Sequence, residues 1–490
     1  MTFQEEKGPL LGIRHLQALL LFLNIVVNYV GRLNIGIALV AMTNADKSNP
    51  DYPEYDWNEM EKSIIISSFY WGYVFTQFPG GYFCRRFGAK LTMFVATFGS
   101  AIFSLIIPFC IDWGGWQFYC GIRILQGIFQ GMIFPCIHEH LAKWSPLHER
   151  NRLGAFSHTG IECGTVLAMS TSGFIAASSM GWPGISYIAS GIGFAWCILW
   201  LLFASNTAAD SKFVSAAERN YIESSLLNSV DFEKQQIPIP WRAIWTSVPF
   251  HALLIVRCAQ GWGFTTMQAQ IPSYMNGVLN MDIKSNAFYS ALPYIAMWVL
   301  SYVFLISADI VLKKQLLSLA VLRKTFNSIA LWIPAACMIG IGFLDEQNKP
   351  WAIVLMTLNV GLNSGAIIGS TLNTIDLSPN HAGLLMGIVN TIANIIPIFT
   401  PLVVGIIVTD VHDRTQWQIV FIIGAVIFFL GNLVFLVWGI TDVQAWNDPN
   451  FLSIRGTENG LVDSRSSITS EVLGVPSKKE RSGSLKEHET

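Results

Sequence analysis

Four charged side chains stand out in this 490-residue sequence because each falls inside a strongly apolar stretch: Arg32, Arg123, Arg257 and Glu162. An arginine at the centre of a bilayer helix costs about 3 kcal/mol or more, and such residues are usually retained for a function. A guanidinium stays charged and offers a planar fork of donors matching a carboxylate or a phosphate. Arg32 shares one helical face with Asn28 and Asn24, four and eight residues earlier. Arg123 opens a face that continues through Gly127, Gln130, Phe134 and His138 at three- and four-residue steps. Two guanidiniums turned toward one cavity would make an anion site, with Arg32 and Arg123 as its donors. The competing reading pins each arginine to helix carbonyls or a buried acid.

Glu162 is the one carboxylate deep within an apolar stretch, and it shares a face with His158 and Thr165. A buried carboxyl near cations can take up or release a proton as its surroundings change. Glu162, alone or with His158, is therefore the candidate coupling group; a salt bridge to an arginine is the alternative. His138 could titrate near neutral pH or be bonded within the core. The triplet His138-Glu139-His140 is not read as a metal site, because histidines two apart on a helix point away from each other. Arg257, Gln260, Phe264 and Gln268 lie on roughly one face, as do Asn359, Asn363, Ser370 and Asn373 farther on. Asn373, with Asn390 and Asn394, could line the cavity or act as interhelical glue. Tyr70 and Tyr73 are read as packing residues, with Tyr73 also a candidate for the cavity wall. The eight cysteines sit in or beside apolar runs without a CxxC pair, as small core residues do.

Elements that can hold such groups follow from composition. Hydrophobic residues make up 52% of the chain and charged ones 13%, and mean hydropathy is +0.46. Soluble domains carry about 25% charged residues. So few charges exclude a cytosolic enzyme, a nucleic-acid binder and a disordered scaffold, and predict an all-α polytopic membrane protein. A spanning helix needs about 20 apolar residues. Twelve stretches qualify: 16–42, 61–83, 91–110, 116–141, 153–177, 183–204, 247–278, 286–308, 325–344, 351–375, 383–409 and 418–440. The polar stretch 205–246 divides them into two six-helix halves, 16–204 and 247–440. Residues 1–15 form a short N-terminus. Residues 441–490, rich in Ser, Lys and Glu, are expected to be a disordered tail. With both termini cytoplasmic, 22 Lys and Arg fall on the cytoplasmic side, five opposite and three within spans. That bias sets the expected orientation. Two six-span halves joined by a cytoplasmic loop is the plan of many secondary transporters. GGYFCRRFGAK (80–90) and SADIVLKK (307–314) hold matching positions in the two halves and predict latches at Arg85, Arg86 and Asp309.

The loop GGYFCRRFGAK resembles the motif between spans two and three of the major facilitator superfamily. Further stretches are similar to its anion-transporting solute carriers, which include sialin, vesicular glutamate transporters and type I sodium–phosphate cotransporters. They are YVGRLNIGIALVAM (29–42), SSFYWGYVFTQFPGGY (67–82), RILQGIFQG (123–131), KWSPLHERNRLG (143–154), NTIDLSPNHAGLLMGIVNT (373–391) and WQIVF (417–421). The resemblance runs in order from about residue 14 to 450. It implies the major facilitator fold, and that Arg32, Arg123 and His138 match positions that bind anionic substrate or line its path. It also exposes two departures: the family's usual glutamate is Gln130 here, and the arginine of vesicular glutamate transporters is Gln260. The implied activity is secondary transport of organic carboxylates or inorganic phosphate by alternating access, as symport with H⁺ or Na⁺. An uncoupled facilitator, a channel-like conductance and a non-transporting anion sensor are the alternatives. No P-loop, GxSxG, HExxH or dinucleotide fingerprint suggests an enzyme. The expected partners are a small anion and the lipid bilayer, with the protein a monomer and no cofactor or metal. An acidic dileucine pattern, Glu6-Lys-Gly-Pro-Leu10-Leu11, suggests an endosomal or lysosomal membrane; the plasma membrane is the alternative.

Overall fold

Backbone groups in lipid must pair within their own segment, which favours helices. Among the described residues of the computed structural model (12–46, 48–233, 239–449 and 451) there is no strand. Each of the twelve apolar stretches is helical. Span one is Ile13–Leu33 continued by Ile35–Thr43, and span two is Glu59–Phe87. Spans three and four share the run Ala89–Gln130, span four continuing as Ile133–Trp144. A straight helix of 42 residues would extend about 63 Å, twice the hydrocarbon core. It is instead a hairpin about Gly115, whose φ of 63° and ψ of −153° leave the helical region. Gln126 Nε2 donates to Ser104 Oγ (2.9 Å) and Gln130 Nε2 to Ser100 Oγ (2.8 Å). Both pairs are equidistant from Gly115, as an antiparallel hairpin requires.

Span five is Leu147–His158 with Gly160–Ala176, and span six is Gly181–Phe203. Spans seven, eight and nine are Val248–Gly277, Ile283–Lys313 and Leu319–Gly342. Span ten breaks after Lys349–Asn363, passes through a π-helical turn at Ile367–Thr371 and ends with Asn373–Leu377. Span eleven is Ala382–Ala393 with Ile396–Ile407, and span twelve is Arg414–Trp438. Spans one, five, ten and eleven are thus interrupted next to Arg32, Glu162, Asn363 and Asn394. Interrupted helices are tolerated at membrane depth where protein or a cavity covers the break.

The polar centre of the chain is more ordered than a bare loop. It holds the helix Ala216–Glu233. The Glu218 carboxylate accepts hydrogen bonds from the Ile13 and Arg14 amides (3.0 and 3.1 Å), capping span one. Arg14, also buried, pairs with Glu218 (3.2 Å) and Glu149 (2.6 Å). The expectation for 441–490 needs correction over its first residues. The Gln444 amide donates to Leu377 O (2.9 Å), and Asn447 Oδ1 accepts from Ser378 Oγ (2.8 Å) and the Asn380 amide (3.0 Å). Trp446 is buried against His381. Free polar groups of the turn after span ten give these residues partners that composition does not reveal. Residues 452–490 and the dileucine pattern lie outside the described residues.

That turn exposes an internal repeat sharper than the one at 80–90 and 307–314. Trp144-Ser-Pro-Leu-His148 followed by Gly154 parallels Leu377-Ser-Pro-Asn-His381 followed by Gly387. Ser145 and Ser378 are both fully buried.

The halves close on the side remote from the termini. Ser67 Oγ donates to Ile398 O (2.6 Å), and a Cβ at Gly405 would come within 2.7 Å of Ser63. A Cβ at Gly173 would lie 2.4 Å from Ala287 Cβ. Toward the terminal face, the last hydrogen bond between the halves among the described residues is Asn394 Nδ2 to Gln77 Oε1 (3.4 Å).

Spans two and four touch backbone to backbone. A Cβ at Gly127 would fall 2.0 Å from Phe69 O, and one at Gly72 would fall 2.0 Å from Ile124 O. Neither obstacle is a movable side-chain tip, so any larger residue forces the helices apart. Overpacking typically costs about 1–3 kcal/mol, occasionally more. Gly127→Val is therefore expected to melt at least several degrees below wild type or to leave little monodisperse protein. Size-exclusion chromatography and a thermal melt in detergent check this; a wild-type melt would contradict the contact.

Candidate functional site: an arginine cavity between the halves

Arg32 sits where span one breaks, and its guanidinium enters an aromatic cage. Its Cζ lies 4.9 Å from the Phe69 ring centre, 4.8 Å from Tyr70, 4.9 Å from Tyr73 and 5.4 Å from Tyr29. Three of those rings come from two consecutive turns of span two. They stay there because the glycine contacts press span two onto span four. A guanidinium stacks on ring faces while keeping its in-plane donors available.

Arg123 lies behind this cage. Its Cζ is 4.9 Å from the centre of the same Phe69 ring that Arg32 contacts. Nη1 donates to Gln126 Oε1 (3.2 Å) and Nη2 to Arg32 O (3.2 Å). The two arginines line a small void of about 20 Å³ with Tyr70 and Gln268. Among the described residues, neither pairs with a carboxylate, and the Nε of each is buried without a hydrogen-bond partner.

A larger cavity of about 270 Å³ opens beside Arg32 and is walled by both halves. The first half contributes Tyr29, Arg32, Tyr70, Glu162 and Thr165. The second contributes Arg257, Gln260, Phe264, Gln268, Tyr294, Asn363, Asn390 and Asn394. Arg257 donates to Gln260 Oε1, and Gln260 Nε2 donates to Asn363 Oδ1 (3.0 Å). Glu162 has no ion pair among the described residues, so the alternative of a fixed salt bridge is not what the geometry contains. The wall holds two guanidiniums and one carboxylate, and it is amide- and hydroxyl-rich otherwise. With both arginines and Glu162 ionised, that balance is positive, and an anion would neutralise it.

The other candidates are placed elsewhere. Asn373 does not reach the cavity: its Nδ2 donates to Ile440 O (2.9 Å), tying span ten to the end of span twelve. This corrects its reading as a lining residue. Beside it, Arg323 pairs with Asp376 (2.7 Å). His138 is exposed outside the cavity wall, its ring 5.3 Å from that of His158. His158 Nδ1 is 2.8 Å from Gly154 O. Tyr73 belongs to the Arg32 cage. Gln130 is held within the span three–four hairpin, away from the cavity. Asn24 and Asn28 both turn toward Thr97 of span three (2.8 and 3.4 Å), so the face they share with Arg32 serves packing. His140 is fully buried and bonded to Gln17 (3.1 Å). Arg85 and Arg86 are exposed, and Asp309 pairs with Lys313 on its own helix (2.6 Å). Sequence reasoning missed Phe69 and Tyr294. Phe69 lies in the motif SSFYWGYVFTQFPGGY, but nothing in an apolar run marks one aromatic as touching two cations.

Relatives and solved structures agree with this architecture. The family model described as Major Facilitator Superfamily matches residues 21–379. The chain is 33% identical over 454 residues to a Drosophila ananassae protein named "Putative inorganic phosphate cotransporter", covering 88% of this chain and 93% of that one. It is 30% identical to human sialin over 454 residues (88% and 90%). It is 30% identical to vesicular glutamate transporter 3 of Danio rerio over 449 residues (89% and 74%). In fold it is similar to a bacterial homologue of the human lysosomal transporter Spinster in an inward-facing, unoccupied conformation (TM-score 0.65, 12% identity, 87% and 98% covered). It is also similar to the E. coli xylose transporter in its inward-open conformation (TM-score 0.62, 13% identity, 85% and 96% covered). With a family model matched over well more than half its length, the chain belongs to the major facilitator superfamily of multi-pass membrane transporters.

Proposed function

We propose that this protein carries small anions across a membrane by alternating access, in symport with a cation. The observation that carries the reading is Arg32: a guanidinium on the cavity wall, surrounded by four aromatic rings and paired with no carboxylate among the described residues. Uncompensated buried charge is costly, so a site that leaves it open is suited to receiving a negative ligand. Arg123 supports Arg32 from behind, and Arg257 faces the same cavity from the second half. The names of the relatives, an inorganic phosphate cotransporter, sialin and a glutamate transporter, all describe carriers of anions or fit that chemistry.

Alternating access is supported by where the halves touch. They are sealed on one side of Arg32 and weakly joined on the other, so rocking about the cavity would exchange the open side. Arg85, Arg86 and Asp309 remain the proposed latches of the terminal face, which we take to be cytoplasmic from the Lys and Arg bias. Either the plasma membrane or an endosomal or lysosomal membrane would suit the reading, and imaging of a tagged chain separates them. Glu162 is the proposed coupling group, with His158 one turn away, because among the described residues it is the carboxylate that lines the cavity.

The test is uptake into proteoliposomes of labelled phosphate, glutamate and sialate under separately imposed pH, sodium and voltage gradients. Saturable uptake of at least one, driven by one cation gradient, is expected. Current without saturation would replace the carrier by a channel, and binding without uptake would replace it by a sensor.

A further inference from the structure

We infer that Phe69 is a positioning residue for anion binding, acting as a cation–π partner shared by Arg32 and Arg123. This rests on the anion-transport reading for its role in binding, but the contact itself stands on geometry. Both guanidinium carbons lie 4.9 Å from the centre of the Phe69 ring. Each guanidinium carbon lies over the ring at a distance ordinary for a cation–π contact. The side chain is fully buried. One ring thus contacts two like charges that have no carboxylate partner among the described residues.

The physical consequence is specific. Each ring face carries the negative lobe of the quadrupole, and its attraction for a cation grows when water is excluded. Phe69 therefore supplies both arginines with a partner that is not an anion. Carboxylates in the same place would hold the arginines equally well, but they would neutralise the site and exclude an anionic substrate. By holding both guanidiniums against one ring, Phe69 would keep Arg32, the one of the two that lines the larger cavity, turned to it. Its own position is set by the backbone contact of Phe69 O with Gly127, and its ring stacks on Tyr73 (5.8 Å, 26°) and meets Tyr70 edge-on (5.5 Å, 88°). The shared contact is thus built from spans one, two and four of a single half, so it survives rocking of one half against the other.

Shape and electronics can be separated experimentally. Mono-, di- and trifluorophenylalanine introduced at position 69 keep the ring nearly isosteric while progressively draining its face. The protein is purified whole, and two quantities are measured along the series: the KM for whichever of phosphate, glutamate and sialate the wild type takes up, and the melting temperature without added anion. KM is expected to rise in step with fluorine number, reaching about 3- to 10-fold for the trifluoro ring if one to two cation–π contacts weaken. The melting temperature should fall in the same order. Phe69→Leu should exceed both effects. A flat KM across the series overturns the positioning role even if Phe69→Leu is inactive, because loss of packing alone does not depend on fluorine number. A flat melting series overturns the shared cation–π contact. A wild type that takes up none of the three anions sinks the transport reading, and the melting series still decides whether the ring holds the cations.

Discussion

Arg32→Lys should reduce anion uptake about 10- to 100-fold while leaving a folded protein. Lysine keeps the charge and can still rest against an aromatic face. It loses the planar fork, which lets one guanidinium stack within the cage and donate in its own plane to the cavity at the same time. A hydrogen bond to a charged group contributes about 1.5–3 kcal/mol, and about 1.4 kcal/mol corresponds to a factor of ten. Losing one of two in-plane bonds therefore gives the stated range. Arg123→Lys should follow in direction, with the added loss of its bonds to Gln126 Oε1 and Arg32 O. Initial uptake rates in proteoliposomes, matched for protein and checked by size-exclusion chromatography, measure the effect. Near-normal uptake by both variants would remove the arginines from the site.

Glu162→Gln should abolish accumulation driven by an imposed pH gradient while sparing exchange of anion for anion at equal pH. Glutamine keeps the size and hydrogen-bonding capacity of the protonated acid but cannot release a proton. Net uphill transport needs the carrier to return in a different protonation state. Exchange does not, because the loaded carrier crosses in both directions. The expected pattern is thus a flat dependence of uptake on pH gradient with counterflow within about threefold of wild type, if the side chain affects binding by less than about 0.7 kcal/mol. His158→Phe should alter the pH profile more mildly, because His158 is one turn away and its Nδ1 lies at Gly154 O. Unchanged pH-driven accumulation in Glu162→Gln would assign coupling elsewhere, and a sodium-gradient dependence in the wild type would make sodium the coupling ion.

Gln130 illustrates how the two groups differ. The resemblance marks position 130 as a place where a titratable acid is usual. The chain instead has an amide that is 4% exposed and bonded to Ser100 within one hairpin. A carboxylate there would face a serine rather than the cavity. Glu162, by contrast, lines the cavity from span five.

What the sequence determined by itself is the solvent and the inventory. Lipid cannot hydrogen-bond a backbone, so long apolar stretches had to be helices, and their number and spacing were readable from hydropathy. The same scarcity of charge that identified a membrane protein singled out Arg32, Arg123, Arg257 and Glu162. The tertiary structure alone decided which of the polar faces meet. A three- and four-residue spacing places side chains on one side of a helix but does not say whether a neighbour or a cavity lies opposite. Asn24 and Asn28 share a face with Arg32 yet bond to span three, while Arg32 turns into an aromatic cage. Asn373 ties two helix ends together, whereas Asn363, Asn390 and Asn394 reach the cavity. Phe69 became legible only when span two was pressed onto span four at Gly127, since contact between two cations and one ring is a property of three packed helices and of no single one.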